Sequence, residues 1–354
     1  TDVSISQQLD DASSAFSMST ADIIDADLGA GTKVQIYYNG NLMLTGYVDV
    51  YTESYSATSH EIQITGRSIT KDLVDSSAEP NSWSNTMLST IAKQIAAPYG
   101  INVVVANDMK VPSFVIEKSG TETNIMALQR LADIGRMQVT DDVNGNLVFA
   151  NADTSSPKYH ILQKPGDPNS NVLEGQYTDD EQQRFSEVRA KSQIKGTDTN
   201  FGTSTQGLEA SATDNANTNR KRLMIVDSHT PLSQTKLQEL VDWQIKYNSG
   251  KSRGLEYTVQ DWATNGVVWA KNTQVSVSDS FFNISESFLI TGIEFSKSLS
   301  GGTLTKLTLH PADAYLPNPV DAEQPLFKKG KGKGKAKGNK KADTVKFKDW
   351  YGTE

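Results

Sequence analysis

The chain has 354 residues, a formal charge of −8 and no cysteine, which excludes disulfides, thiolate metal sites and cysteine nucleophiles together. No run of about 18 apolar residues occurs, so no membrane-spanning helix is expected, and Thr1-Asp2-Val3-Ser4-Ile5 has neither the basic start nor the apolar run of a signal peptide. Residues 321–354 hold ten lysines against five acids, a balance of +5, which leaves −13 on residues 1–320; an acidic body of that kind repels nucleic-acid phosphates instead of holding them.

Residues 3–6, 15–18, 33–38, 42–50 and 61–65 alternate apolar and polar side chains, the period of strands with one buried face. Asn39-Gly40, between two such runs, fits the type I′ turn of a tight hairpin. A small barrel or sandwich of about five strands is expected. A short helical turn over 68–75 follows, and Ala78-Glu79-Pro80-Asn81 marks a boundary.

From Asn85 the period becomes helical. Asn85 or Thr86 is placed to cap a helix with Met87, Leu88, Ile91 and Ile95 on one side, stopped by Pro98 and Gly100. Residues 103–105 and 114–117 read as short strands, and 122–135 as a second helix. A hairpin over 137–140 and 147–150 turns at Asn144-Gly145. Two helices over a small sheet make an α+β insert.

Residues 151–171 read as a connection and 196–219, nearly all small and polar, as a mobile loop. Ser233 caps an amphipathic helix over 233–247 whose inner side holds Leu237, Leu240, Val241 and Ile245. Four strands, 255–259, 273–278, 288–295 and 303–309, then read as an antiparallel meander. Asn265-Gly266, Ser278-Asp279-Ser280 and Ser300-Gly301-Gly302 supply its turns. Adding 172–177, 185–194 and 223–226 gives about seven strands, enough to close a second barrel. The fold class expected is mainly β, with two similar antiparallel barrels flanking an α+β insert.

Residues that could carry chemistry are few. His60, His160, His229 and His310 form no paired metal motif. Gly250-Lys251-Ser252-Arg253-Gly254 has the spacing of a nucleophile elbow, but a helix precedes the serine and a strand follows, the reverse of what an elbow needs. Asp141-Asp142 and Asp179-Asp180-Glu181 sit at turns, where solvated acids are the ordinary outcome. No catalytic residue, cofactor or metal site is expected. Lys328, Lys329, Lys331, Lys333, Lys335 and Lys337 alternate with small residues in a self-repelling tail. It reads as a solvated extension, as a flexible basic linker touching an acidic partner with Val345, Phe347, Trp350 and Tyr351 beyond it as a docking motif, or as a nucleic-acid contact.

Three stretches carry a family resemblance: Gly46-Tyr47-Val48-Asp49, then Gly66-Arg67-Ser68-Ile69-Thr70-Lys71-Asp72-Leu73-Val74-Asp75, then Trp269-Ala270-Lys271-Asn272-Thr273 with Phe288-Leu289-Ile290-Thr291-Gly292-Ile293. With Ser13-Ser14-Ala15-Phe16-Ser17-Met18-Ser19, they resemble the baseplate hub proteins of Mu-like contractile-tailed bacteriophages over most of residues 1–315. Members of that family normally begin one strand before the position of Val3, so this sequence looks N-terminally short, and its lysine-glycine tail departs from the family pattern.

The resemblance implies a virion protein of the tail baseplate, assembled in the host cytoplasm, with no enzymatic activity. It implies a homotrimer whose two barrels per chain match a sixfold tail tube above and a threefold central spike below. The implied partners are the tail tube protein, the spike protein, other baseplate proteins and phage DNA passing without specific binding. The domains expected are a first barrel over 1–78, the insert over 79–155, a second barrel over 156–315 and a basic tail over 316–354. The alternative of another class is a tail-borne peptidoglycan hydrolase.

Overall fold

The structure, a computed structural model, describes residues 1–21, 28–118, 120–192, 207–214, 216, 220–227 and 232–319. The first five strands are β1 (Asp2–Gln8), β2 (Ala15–Thr20), β3 (Lys33–Tyr38), β4 (Asn41–Tyr55) and β5 (His60–Ser68), antiparallel in the order β1-β2-β5-β4-β3. Alternation sends Ile5, Phe16, Ile62 and Ile64 into the core and leaves Ser4, Ser17 and Thr65 on the opposite face. Asn39 and Gly40, both at positive φ (47° and 79°), make the expected two-residue turn between β3 and β4.

The insert begins after α1 (Lys71–Asp75) and comprises β6 (Asn81–Met87), α2 (Leu88–Ala96), β7 (Val103–Val105), β8 (Lys110–Ile116), α3 (Asn124–Gly135), β9 (Gln138–Asp141) and β10 (Leu147–Ala150). Leu88, Ile91, Leu128, Leu131 and Phe149 fill a core of its own. Neither Asn85 nor Thr86 caps α2, because both lie in β6. The carboxylate of Asp108 does that work from a facing loop, accepting the Ser89 amide at 3.0 Å and the Ser89 hydroxyl at 2.5 Å.

The remaining elements are β11 (Tyr159–Gln163), β12 (Val172–Asp179), β13 (Glu187–Ser192), β14 (Leu208–Thr213), β15 (Leu223–Asp227), α4 (Gln234–Ser252), β16 (Arg253–Gln260), β17 (Ala263–Thr264), β18 (Val267–Val268), β19 (Gln274–Asp279), β20 (Ile284–Ser298) and β21 (Gly302–His310). The strands expected at 185–194 and 223–226 do not join the larger sheet. β13 instead lies between β14 and β15 in a separate three-stranded sheet. Val188 and Ala190 alternate with Arg189 and Lys191, so only one face seeks cover, and Leu237, Leu240 and Val241 of α4 supply it. β14 falls inside the stretch read as a loop; its inner side is Leu208, Ala210 and Ala212, of which two are alanines, too little apolar bulk to mark a strand in a hydropathy reading.

The four C-terminal strands are likewise not a simple meander. β19, β20 and β21 follow one another as hairpins, but β16 pairs with β21, so the first strand lies beside the last. The Asn265-Gly266 turn serves the small β17–β18 hairpin instead.

β1 also pairs with β20, from Val3 opposite Lys297 to Gln8 opposite Gly292. The N-terminal and C-terminal strands thereby become one 11-stranded sheet over a shared core in which Ile5 and Phe16 meet Tyr257 and Phe295. Its path ends at β3 and β12, and no closed barrel forms among the described residues.

Within that sheet one unit occurs twice. The order β12-β16-β21-β20-β19 repeats β1-β2-β5-β4-β3, and the 15-residue and 9-residue strands recur as β4 with β5 and β20 with β21. Each long strand carries a bulge near its middle, between Val48 and Val50 against β5 and between Ile290 and Gly292 against β21.

Candidate functional site

Lys328, Lys329, Lys331, Lys333, Lys335, Lys337, Phe347, Trp350 and Tyr351 lie outside the described residues, as does His229. The other histidines stay apart: His60 meets Glu53 at 2.8 Å, His160 meets Ser276 at 2.6 Å and His310 meets Thr291 at 2.9 Å. Among the described residues no three metal-ligating side chains converge. Ser252 is buried where α4 passes into β16, and its hydroxyl donates to the Ser249 carbonyl at 2.8 Å. Asp142 and Asp180 accept turn amides as expected of solvated acids.

Asp141 corrects that expectation. Its side chain is 1 % exposed and takes Lys271 Nζ at 2.6 Å on Oδ1. The same carboxylate accepts the Ser14 hydroxyl at 2.8 Å and the Ser14 amide at 2.9 Å, while Lys271 also donates to the Gln8 carbonyl at 3.1 Å. Each charge therefore has its partners in place, the condition for burying it. Next to it, Asn272 donates to the Asn151 carbonyl at 2.9 Å and accepts the Asp153 amide at 3.0 Å. The Lys271-Asn272 pair thus ties the C-terminal end of the insert, at Asp141, Asn151 and Asp153, to the segments around Gln8 and Ser14 that flank β1 and β2. Sequence spacing holds no signal for this, since the groups are 127 and 130 positions apart.

A second clamp joins β4, β5 and α1. Arg67 donates to Asp49 at 2.8 Å and to Asp75 at 2.6 Å, and Lys71 also bonds Asp49. Burial pushes the Asp49 carboxyl up, but the bonds from Arg67 and Lys71 outweigh it and hold its pKa below the ordinary value. Arg67 lowers Asp75 as well. The glycines of the same stretches act by close approach: a Cβ on Gly46 would stand 2.1 Å from the Arg67 carbonyl oxygen, and one on Gly66 would stand 2.2 Å from that of Tyr47.

What the molecule offers to partners is sheet surface. Ser296, Ser4, Ser17 and Thr65 lie in register across β20, β1, β2 and β5, a row of small uncharged hydroxyls on the face away from the core. Large exposed side chains gather at hairpin ends, with Tyr55 at the β4–β5 tip, Leu299 after β20 and Phe281 after β19.

A broad sheet built from a repeated unit, braced by the buried Asp141–Lys271 pair and the partly exposed Arg67 clamp, defines a β scaffold. Comparison with known proteins agrees along the chain. Residues 1–68 match the model of Mu phage baseplate assembly protein GpP-like, N-terminal. Residues 70–151 match baseplate hub protein gp44-like, second domain, and residues 233–318 match the fourth domain of Mu phage baseplate assembly protein GpP.

The baseplate hub protein gp44 of Escherichia phage Mu is 26% identical over 320 residues, covering 87% of this chain and 82% of the phage protein. The 43 kDa tail protein of prophage MuSo2 from Shewanella oneidensis superposes with a TM-score of 0.76 at 27% identity, over 90% of this chain and 95% of that one. A tail protein from Neisseria meningitidis MC58 has the same fold, with a TM-score of 0.71 at 23% identity over 89% and 94%. The chain is a homologue of the Mu-like baseplate hub proteins, components of the virion tail baseplate.

Proposed function

We propose that this chain is the structural hub of a contractile-tail baseplate, a homotrimeric ring that adapts a sixfold tail tube to a threefold central spike and lines the ejection channel. The observation that carries the reading is the five-strand unit present twice per chain in one register. Three chains then supply six like units, so a threefold body presents a near-sixfold face to its neighbour. The tube, the spike and other baseplate proteins are the partners this implies.

Two further features support a conduit. The open face of the central strands is uncharged and hydroxyl-lined along the row from Ser296 to Thr65, and residues 1–320 carry −13. DNA would pass such a wall without adhering to it. The division into domains over 1–78, 79–155 and 156–315 stays a proposal: family matches change near its first two boundaries, at residues 69 and 151, while the match to a fourth domain over 233–318 leaves 152–232 as a piece of its own. The tail over 316–354 is assigned to an acidic partner, with Lys328, Lys329, Lys331, Lys333, Lys335 and Lys337 as the charged stretch and Phe347, Trp350 and Tyr351 as its anchor.

Light scattering of the full chain, combined with class-averaged electron micrographs, tests the reading. A trimer forming a ring with near-sixfold rotational density is expected; a monomer or dimer at micromolar concentration overturns it.

A further inference from the structure

The two copies of the five-strand unit differ in what their long strands touch. In the second copy the distal half of β20 is covered by β1, which pairs with it from Lys297 to Gly292. In the first copy β3 pairs with β4 only as far as Tyr47. Among the described residues no strand lies beside Val50–Tyr55 on the side away from β5, and none lies beside β12 on the side away from β16. The outcome is a difference in burial: Ile5 and Phe295 at the covered junction are 0 % exposed, whereas Tyr177, at the place matching Ile5, is 38 % exposed and Glu53, at the place matching Phe295, is exposed.

The registers identify what belongs there. Superposing the bulges matches Tyr55 to Lys297 and Tyr51 to Ile293. The pairing of β12 with β16 matches Gly175 to Val3, Gln176 to Ser4, Tyr177 to Ile5 and Asp179 to Gln7. β12 is therefore the second copy's β1, and the distal half of β4 is the first copy's distal half of β20. One chain holds both halves of the same junction at opposite ends of its sheet.

We infer that the seam between neighbouring hub subunits is an antiparallel strand pairing in which β12 of one copy lies along Val50–Tyr55 of the next. Gln176 falls opposite Ser54 and Tyr177 opposite Glu53, in the register that β1 takes on β20. The inference rests on the ring reading and names its interface. Each seam satisfies backbone groups that an open edge leaves bare, and a head-to-tail contact of this kind closes into a ring when the rotation allows. The side chains suit the pairing. Tyr55 faces Gly175, which has no side chain to compete for its space, an aromatic over an edge glycine. Tyr177 and Tyr51 each meet a carboxylate, Glu53 and Asp179, across the strands. Three such seams alternating with three β1–β20 junctions make the sheet continuous around the ring.

The chain has no cysteine of its own, so the test is direct. Ser54→Cys and Gln176→Cys, both at exposed positions, are combined in one full-length chain and treated with oxidant or a short bismaleimide, since directly opposed Cβ atoms lie about 5 Å apart. Most of the protein is expected to run as covalent dimers and trimers under denaturing conditions. The intrachain pair Ser4→Cys with Ser296→Cys reports that the chemistry works and gains no mass. A variant that is trimeric by light scattering but whose two introduced thiols stay unlinked overturns the seam and leaves the ring standing. A chain that is monomeric by light scattering overturns both.

Discussion

The two five-strand units share a register yet fill their cores differently. Where the first unit sets Val3 against Met18, the second sets Gly175 against Tyr257; where the first has Phe16 over Gly66, the second has Leu255 over Leu309. A Cβ on Gly66 would meet the Phe16 ring at 2.5 Å, and one on Gly175 would meet the Tyr257 ring at 3.0 Å. Volume is traded between facing strands while backbone geometry is kept, the freedom that close packing allows when the total is conserved. A repeated fold can thus persist with little repeated sequence.

A polar position makes the same comparison. Arg67 and His310 occupy matching places on β5 and β21. The first is charged and held by two carboxylates. The second is kept neutral by burial and by the nearby charge of Lys251, which lower its pKa.

The largest disruption expected is at the tie between both units and the insert. Asp141→Ala leaves Lys271 buried without its counter-charge and should cost about 4 kcal/mol, read as a lower urea midpoint; a loss below about 1 kcal/mol would show the tie to be incidental. Gly66→Ala should cost about 3 kcal/mol, because the strand must move from the Tyr47 carbonyl. Gly292→Ala should cost clearly less, since its nearest obstacle is the flexible end of Gln8. Equal midpoints for the two variants would refute this account of close approach.

Acid should separate Arg67 from His310. A lowered histidine pKa contributes stability that is complete above about 6.5 and is lost as the pH falls through the folded value. His310→Gln should therefore flatten the decline in melting temperature between about pH 7 and 5. The lowered Asp49 and Asp75 contribute stability present above about 3.8, lost only as the pH falls through their still lower folded values. Arg67→Gln should cost about 1 kcal/mol at neutral pH, discounted for the exposure of Asp75, and should leave the pH 7 to 5 slope intact. The smallest effect is none: incubation with purified peptidoglycan should release no sugar or peptide, and sustained release would revive a hydrolase.

Much of the architecture is legible in the sequence because local chemistry dictates it. Asn39-Gly40 specifies its hairpin through positive φ, and the alternation of β1 to β5 specifies a two-faced sheet. The cap of α2 escapes such a reading because Asp108 reaches it from another segment. Asp141 looks like a turn acid because its partners, Ser14 and Lys271, lie far off in sequence. β13 and β15 fall to the wrong sheet because a strand's period shows that it has a buried face without showing which neighbour buries it.

By itself the sequence determined a cysteine-free β protein with an acidic body, an α+β insert and two stretches of strands, since composition and side-chain period act within a few residues of each position. Only the tertiary structure decided that those stretches form one sheet, that β1 closes on β20 and that the same unit stands twice in a common register. Strand pairing is a contact between distant segments, chosen by which edges and faces can be satisfied together.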